Sequence, residues 1–421
     1  MGKLFNCLKE RWLIDQISSS DIRKILDKKI KFYVGFDPTA DSLHLGNLVS
    51  LVLSCWLKRF GHEAYFLIGG ATGKIGDPSG KSIERPFLDE KILSDNVDAI
   101  YSLVKNIFQR EEENGKISIL NNEKWFQQIY FIEFLRDVGK YFRLGQMLGK
   151  ESVKARLKNT LEGMSFTEFS YQILQAYDFY YLFHHFGIQL QLGGSDQWGN
   201  ITAGIELIRK ISADRVYGMT FPLLTRSDGK KFGKSEEGAI WLSEEKLSPY
   251  QFYQQLVRVS DRDVICLMRM LTFMDMEEIH QYEKELKKKP NAAQKKLAQE
   301  VTYFIHGKKG VEKAKKVTAG ASPGKDTMLN REVLAAIAED MPHISLSIEK
   351  VIGKKVVELM LEVGLVKSKS EGVRLIKSGG AYLNNKKIED VQLLLIEKDI
   401  IDRSYLLLAK GRKKKFLIKI K

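Results

Sequence analysis

The chain has 421 residues, 44% hydrophobic and 29% charged. This ordinary globular balance excludes a disordered protein and, at about 100–200 residues per domain, leaves room for two or three domains. The formal charge of +14 is uneven: residues 351–421 hold 17 Lys/Arg against 8 Asp/Glu. A solubilising tail would carry the same charge, but this segment is rich in Val, Leu and Ile and can fold, so the excess points to a polyanionic partner, most simply nucleic acid.

The N-terminus, MGKLFNCLKERW, lacks the apolar core of a secretory signal, and Asn6 stands where a myristoylation pattern needs Ser or Thr. The longest nearly uncharged apolar run, Leu48–Leu57, is about half the roughly 20 residues that cross a bilayer. A cytoplasmic location with no membrane partner is expected. Cys7, Cys55 and Cys266 are far apart and odd in number, so neither a disulfide framework nor a zinc site is expected. The histidines do not cluster at metal-ligand spacing, and His184-His185, in a run of aromatics, reads as helix packing. No metal site is expected.

In chain order, Lys31–Asp37 is apolar and β-prone, a helical pattern runs from about Leu45 to Phe60, and a second apolar run spans Ala64–Gly70. Strand, helix, strand at this spacing predicts a βαβ unit and a parallel sheet, with ligands beyond the carboxyl ends of the strands. Ser165 and Glu168 have the spacing of a capping box for a long helix that Gly187 would stop. Ile188–Leu192 then reads as a strand running into GGSDQWGN. Past Pro222 the pattern is mostly helical to about Lys316, Thr318–Thr327 reads as a linker, and a helix starts near Lys354.

Two short motifs carry chemistry. His44-Leu45-Gly46-Asn47 falls at a helix start, where free N–H groups attract phosphate; His and Asn three apart can both donate hydrogen bonds, and Gly46 lets a flat group approach the backbone. Alone, this match fits a structural histidine cap equally well. Lys230–Ser235, KKFGKS, suits a mobile clamp on phosphates, or a solvated basic loop. Neither Gly76–Gly80 nor Gly229–Gly233 is a Walker A loop, since each pair encloses three residues where four are needed.

Taken in order, YVGFDPTADSLHLGN, GGATGKIGDPSGK, GGSDQWGN and KKFGKS resemble the bacterial tyrosyl-tRNA synthetases, with HLGN and KFGKS similar to the HIGH and KMSKS signatures of class I aminoacyl-tRNA synthetases. SKSEGVRLIKSGGAYLNNKKI resembles an S4 RNA-binding core. The resemblance spans essentially the whole chain. It implies an α/β Rossmann-like catalytic domain over 1–221, a helical domain over 222–318, a linker region over 319–350 and a small α+β S4-like domain over 351–421. It implies a homodimeric ligase that joins L-tyrosine to ATP, with Mg²⁺ on the nucleotide, and then charges tRNA(Tyr).

By the same resemblance, Thr39, His44, Asn47, Lys231 and Lys234 stabilise the reacting phosphates. Tyr33 and Asp178 hold the phenolic hydroxyl. Tyr171, Gln175 and Asp77 hold the ammonium group, and Gln197 contacts the substrate. Asp196 meets the ribose, Gly46 and Asp37 lie near the nucleotide, Lys81 and Arg85 lie near the pyrophosphate, and Arg374, Lys377 and Arg412 face RNA. Tyr171, Gln175 and Asp178, spaced 4 and 3 apart, share one helix face. Asn47 replaces the second His of the HIGH signature and Val34 stands where many relatives have Cys. A tryptophan-specific relative would have no hydroxyl for Asp178 and Tyr33 to bind. An RNA-binding protein without catalysis would have no use for His44, Lys231, Lys234 and Asp196.

Overall fold

A computed structural model describes residues 2–79, 86–110, 116–158, 163–229, 232–235, 238–320, 329–340, 343–411 and 414–421. Lys31–Phe36 (β1), Glu63–Ile68 (β2), Ile117–Asn121 (β3), Leu190–Gly194 (β4) and Tyr217–Phe221 (β5) form a wholly parallel sheet in the order β3-β2-β1-β4-β5. The central strands are nearly all apolar because neighbours cover both faces. The strand order reverses between β1 and β4, so a crevice opens beyond their carboxyl ends. The three strands expected from the sequence lie within two residues of their expected bounds. β3 and β5 are additional, and they are the two edges of the sheet.

His44 caps the helix Leu45–Arg59, whose last turn carries Lys58 and Arg59 against the negative end of the helix dipole. Ser165 caps Phe166–Phe186 by accepting from the Glu168 N–H at 3.1 Å, and Gly187 ends that helix in the left-handed region at φ 68°. The Glu168 carboxylate is taken by Arg156, which donates to it twice at 3.0 and 3.2 Å in a buried pair. Phe179, Leu182, Tyr33, Leu67 and Trp125 form the apolar cluster that fixes this helix against the sheet.

By packing, the chain divides into one unit of Met1–Leu247 with Leu256–Ile305 and another of Ser248–Gln255 with His306–Lys421. The division runs through the helix Ala292–Gly320, beside a break in helical geometry at Gly307 (φ 69°, ψ −172°). Regular helix after Pro222 begins only at Pro249, because the preceding residues pair with the segment around His44 instead. The linker expected over 319–350 holds the helix Arg331–Asp340 and the strand His343–Leu346.

The second unit is built on a five-stranded sheet in the order Lys386–Lys387, Ala381–Leu383, Tyr405–Lys410, Lys414–Ile420, His343–Leu346; only the last pair is parallel. Strand alternation gives it two cores. Leu406, Leu408 and Ile418 pack with Val356, Met360 and Ile376, while Leu407 and Leu417 pack with Tyr250, Val317, Leu334 and Ile337. Among the described residues no helix is long and apolar enough to cross a membrane.

Candidate active site

A cavity of about 380 Å³ lies at the β1/β4 crevice and is lined by Tyr33, Asp37, Thr39, His44, Gly46, Asn47, Asp77, Tyr171, Gln175, Asp178, Asp196 and Gln197. Twelve residues separated by up to 164 positions in the chain thus meet in one space. Their placement follows from the fold. Asp37 and Thr39 leave the end of β1, Asp196 and Gln197 leave the end of β4, and the helix Phe166–Phe186 presents Tyr171, Gln175 and Asp178 on one face.

At one part of the cavity the first motif is both a cap and a donor site. The Gly46 N–H donates to His44 Nδ1 at 3.1 Å, and the His44 N–H donates to Asn47 Oδ1 at 3.1 Å. An accepting Nδ1 places the proton of the neutral ring on Nε2. Asn47 spends its oxygen on the cap and keeps its Nδ2 hydrogens as donors. A Cβ at Gly46 would crowd the His44 ring at 2.9 Å.

The second motif packs directly on the first. Gly233, at φ 100°, sits where a Cβ would lie 3.3 Å from the Gly46 nitrogen. The stem beyond it is stitched to the His44 segment: the Leu45 N–H donates to the Ile240 oxygen at 2.8 Å and the Leu242 N–H to the Leu43 oxygen at 2.9 Å. Trp241 lies beside the His44 ring, centroids 6.4 Å apart. Only the backbone of Lys234 is described, in a short ladder with Ala239. Lys231, Lys81, Arg85 and Arg412 lie outside the described residues.

Elsewhere the lining is a web of buried and half-buried polar groups. Tyr171 Oη donates to Asp37 Oδ2 at 2.8 Å, so Asp37, expected near the nucleotide, is bound to a residue expected to hold the ammonium. Gln197 Nε2 donates to Asp77 Oδ2 at 2.6 Å, and Gln175 Nε2 donates to Gln197 Oε1 at 3.2 Å. Asp178 is buried and accepts from Trp125 Nε1 at 2.9 Å and Asn122 Nδ2 at 3.0 Å. Burial pushes its carboxyl up to about 8, against the pull of those two hydrogen bonds. Burial also holds the Tyr33 and Tyr171 hydroxyls well above the ordinary tyrosine range, with Asp178 adding at Tyr33 and Asp37 at Tyr171. Tyr33 is 1% exposed, yet its hydroxyl has no hydrogen-bond partner among the described residues.

Beyond the residues singled out by the sequence, Thr72, Asn122, Trp125 and Asn200 belong to this web, Asn200 Nδ2 donating to Gln175 Oε1 at 2.9 Å, and Gln191 lines the same cavity. Asn122 and Trp125 follow β3, so the rule that ligands gather at strand ends would have found them had that strand been recognised. Gln191 is the register partner of Tyr33 on the neighbouring strand, it is 3% exposed, and its Oε1 likewise has no partner among the described residues.

In the second unit, Arg374 and Lys377 are exposed on the helix Lys369–Lys377. Lys369 on the same helix is paired with Glu358 at 2.7 Å, and Lys354 with Glu362.

A parallel sheet of this order, with a capped HLGN helix and a glycine of the KFGKS loop against it, defines a class I aminoacyl-tRNA synthetase core. Residues 26–321 match the family model "tRNA synthetases class I (W and Y)" and residues 333–418 match "Tyrosine--tRNA ligase SYY-like C-terminal domain". The tyrosine–tRNA ligase of Protochlamydia amoebophila is 53% identical across 100% of this chain and 99% of its own length. The chloroplastic/mitochondrial tyrosine–tRNA ligase of Arabidopsis thaliana is 48% identical across 98% of this chain and 83% of its own. The C-terminally truncated mitochondrial tyrosyl-tRNA synthetase of Coccidioides posadasii superposes with a TM-score of 0.65 at 35% identity, covering 74% of this chain and 91% of that one. The chain belongs to the tyrosyl-tRNA synthetase family.

Proposed function

We propose that the chain activates L-tyrosine with ATP and transfers it to tRNA(Tyr). The tyrosine carboxylate attacks the α-phosphorus, the bond from that phosphorus to the bridging oxygen breaks, and pyrophosphate leaves. The ribose hydroxyl at the tRNA 3′ end then takes the tyrosyl group from the adenylate. The carboxylate is itself a nucleophile, so the protein's part is positioning and stabilisation of developing charge. His44 Nε2–H, Asn47 Nδ2–H, the Thr39 hydroxyl, Lys231 and Lys234 supply donors and cations to the phosphates, with Lys81 and Arg85 toward the pyrophosphate. Gly46 leaves room for adenine, and Asp196 holds the ribose. Mg²⁺ enters on the ATP phosphates as part of the substrate.

The observation that carries this reading is the Tyr33 hydroxyl, without a partner among the described residues and buried in the same cavity as the buried Asp178 carboxyl. Between them they offer a donor and an acceptor to one phenol hydroxyl, whereas an indole N–H, a donor only, would leave the Tyr33 donor unmet. Tyr171, Gln175, Asp77 and Gln197 surround the place for the amino-acid head group, with Asp37 behind Tyr171. The test is ATP–pyrophosphate exchange with each of the twenty amino acids. Tyrosine should stand alone, and Tyr33→Phe should narrow its lead over phenylalanine. A site built to bond a hydroxyl rejects the analogue without it; tyrosyl-tRNA synthetases are the standard case, and their figure of about 10⁵ belongs to the family and not to these distances. Unchanged discrimination in Tyr33→Phe would overturn the role of Tyr33, and exchange with another amino acid would overturn the substrate.

The second unit is assigned to tRNA as an S4-like module, with Arg374, Lys377 and Arg412 on the phosphate backbone. A homodimer is supported by an apolar run left open on the first unit: Tyr130, Phe131, Ile132 and Leu144 are each more than 60% exposed. With free amino acid, ATP and tRNA as substrates, the cytoplasm is its place of work.

A further inference from the structure

We propose that Thr72 is a positioning residue for tyrosine recognition, its hydroxyl joining Asp37 to the Asn122 amide that holds Asp178, so that two separate carboxylates of the pocket are set by one hydrogen-bonded chain. The inference rests on the tyrosine-activating reading above.

The direction of every bond in the chain is determined. The Ala71 N–H donates to Asn122 Oδ1 at 2.8 Å, which fixes the orientation of that amide. Its two Nδ2 hydrogens then serve two acceptors at 3.0 Å each, Thr72 Oγ1 and Asp178 Oδ2. Since the Thr72 oxygen accepts from Asn122, its own proton is directed to Asp37 Oδ1, at 2.9 Å. Tyr171 donates to the other oxygen of Asp37, and Trp125 to the other oxygen of Asp178. Thr72 is 3% exposed, in the short turn Thr72–Lys74 after β2. The local backbone is shaped around this contact, because a Cβ at Gly69 would collide with both Thr72 Oγ1 and Asp37 Oδ1.

Removing the Thr72 hydroxyl takes a donor from Asp37 and strands one buried Asn122 hydrogen. A buried donor without an acceptor is costly, so the amide turns or shifts to find one. Asp178 then loses the group that aims it, and the loss falls on the substrate whose hydroxyl Asp178 reads. Phenylalanine lacks that hydroxyl, so it feels only the part of the loss that passes through Asp37 and Tyr171 to the ammonium group both substrates carry.

The experiment is kcat/KM for tyrosine and phenylalanine in pyrophosphate exchange. Thr72→Val keeps the shape and removes the hydroxyl; it should lose on the order of tenfold for tyrosine and less for phenylalanine, so that discrimination narrows. Thr72→Ser keeps the hydroxyl and should retain most of the wild-type preference. Thr72→Ala, which removes any crowding by the valine methyl, should behave as Val does. In an Asn122→Ala background, Thr72→Val should add little further loss of discrimination. Wild-type discrimination in Val and Ala, a Ser variant as poor as Val, or full additivity with Asn122→Ala would each overturn the proposal. If the wild-type protein failed to activate tyrosine, the functional reading would fall with it; if wild type prefers tyrosine and the Val variant matches it, only the role of Thr72 falls.

Discussion

The pocket of the first unit and the basic helix of the second recognise in opposite ways. In the pocket, Asp178, Asn122, Thr72 and Tyr33 are each less than 5% exposed, and all but the Tyr33 hydroxyl already hold partners. Their geometry is set before any ligand arrives. On the helix Lys369–Lys377, Arg374 and Lys377 stand in solvent, where water and salt compete with every contact. Buried recognition therefore concentrates its effect in single side chains and ignores ionic strength, whereas exposed recognition spreads it over many and depends on salt.

The largest effect is expected where charge develops in the shielded site. Lys234 follows Gly233, which packs on the first turn of the His44 helix. Lys234→Ala should slow single-turnover adenylate formation by about 10²–10³, the equivalent of about 2.7–4 kcal/mol for one lost donor to a developing oxyanion, while ATP affinity changes little. An unchanged maximal rate with a greatly raised apparent Kd for ATP would show that Lys234 only binds nucleotide.

A buried carboxyl also leaves a pH signature that an exposed one would not. Asp178 is raised to about 8 when folded, against an ordinary value of 3.8. The folded state therefore holds the proton more tightly, and the resulting stability is full below about pH 4 and lost as pH rises to about 8. Asp178→Asn cannot ionise. Its Tm without tyrosine, measured relative to wild type, should climb across that window and level off above it, whatever offset the amide adds by facing the Asn122 and Trp125 donors. A difference that stays flat from pH 4 to 9 would mean that Asp178 titrates like a solvated acid.

The sequence made the motif residues legible because their signals are local. His44 follows a strand and starts a helix; Tyr171, Gln175 and Asp178 repeat at helical spacing. Thr72, Asn122, Trp125 and Gln191 gave no such signal. β3 is an edge strand of five half-buried residues with no clear alternation, so the turn that carries Asn122 and Trp125 was not seen as a strand end. Gln191 is identified only by lying beside Tyr33 across β1 and β4. In the second unit the charge excess was plain, but the packing of Leu334 and Ile337 against Leu407 and Leu417 was not. A truncation near Asp340 would strip that helix of its partners, so substitutions test the RNA face more cleanly than removal of the module.

The smallest effects belong to those substitutions, and they sharpen the contrast most. Arg374→Ala and Lys377→Ala should each weaken tRNA binding only a few-fold at moderate salt. Each phosphate contact releases condensed counterions, so losing one should reduce the slope of log K against log salt by about 1. Lys369 is an internal control. Its ammonium is already engaged by Glu358 at 2.7 Å, so Lys369→Ala should change the slope less than either neighbour does. Pyrophosphate exchange should be unaffected in all three, because no group of the tyrosine or nucleotide site is touched. A variant that lost exchange, or that bound tRNA with the wild-type salt slope, would remove Arg374 and Lys377 from the RNA face. The division between a shielded pocket and a solvated interface would then have to be drawn elsewhere in the chain.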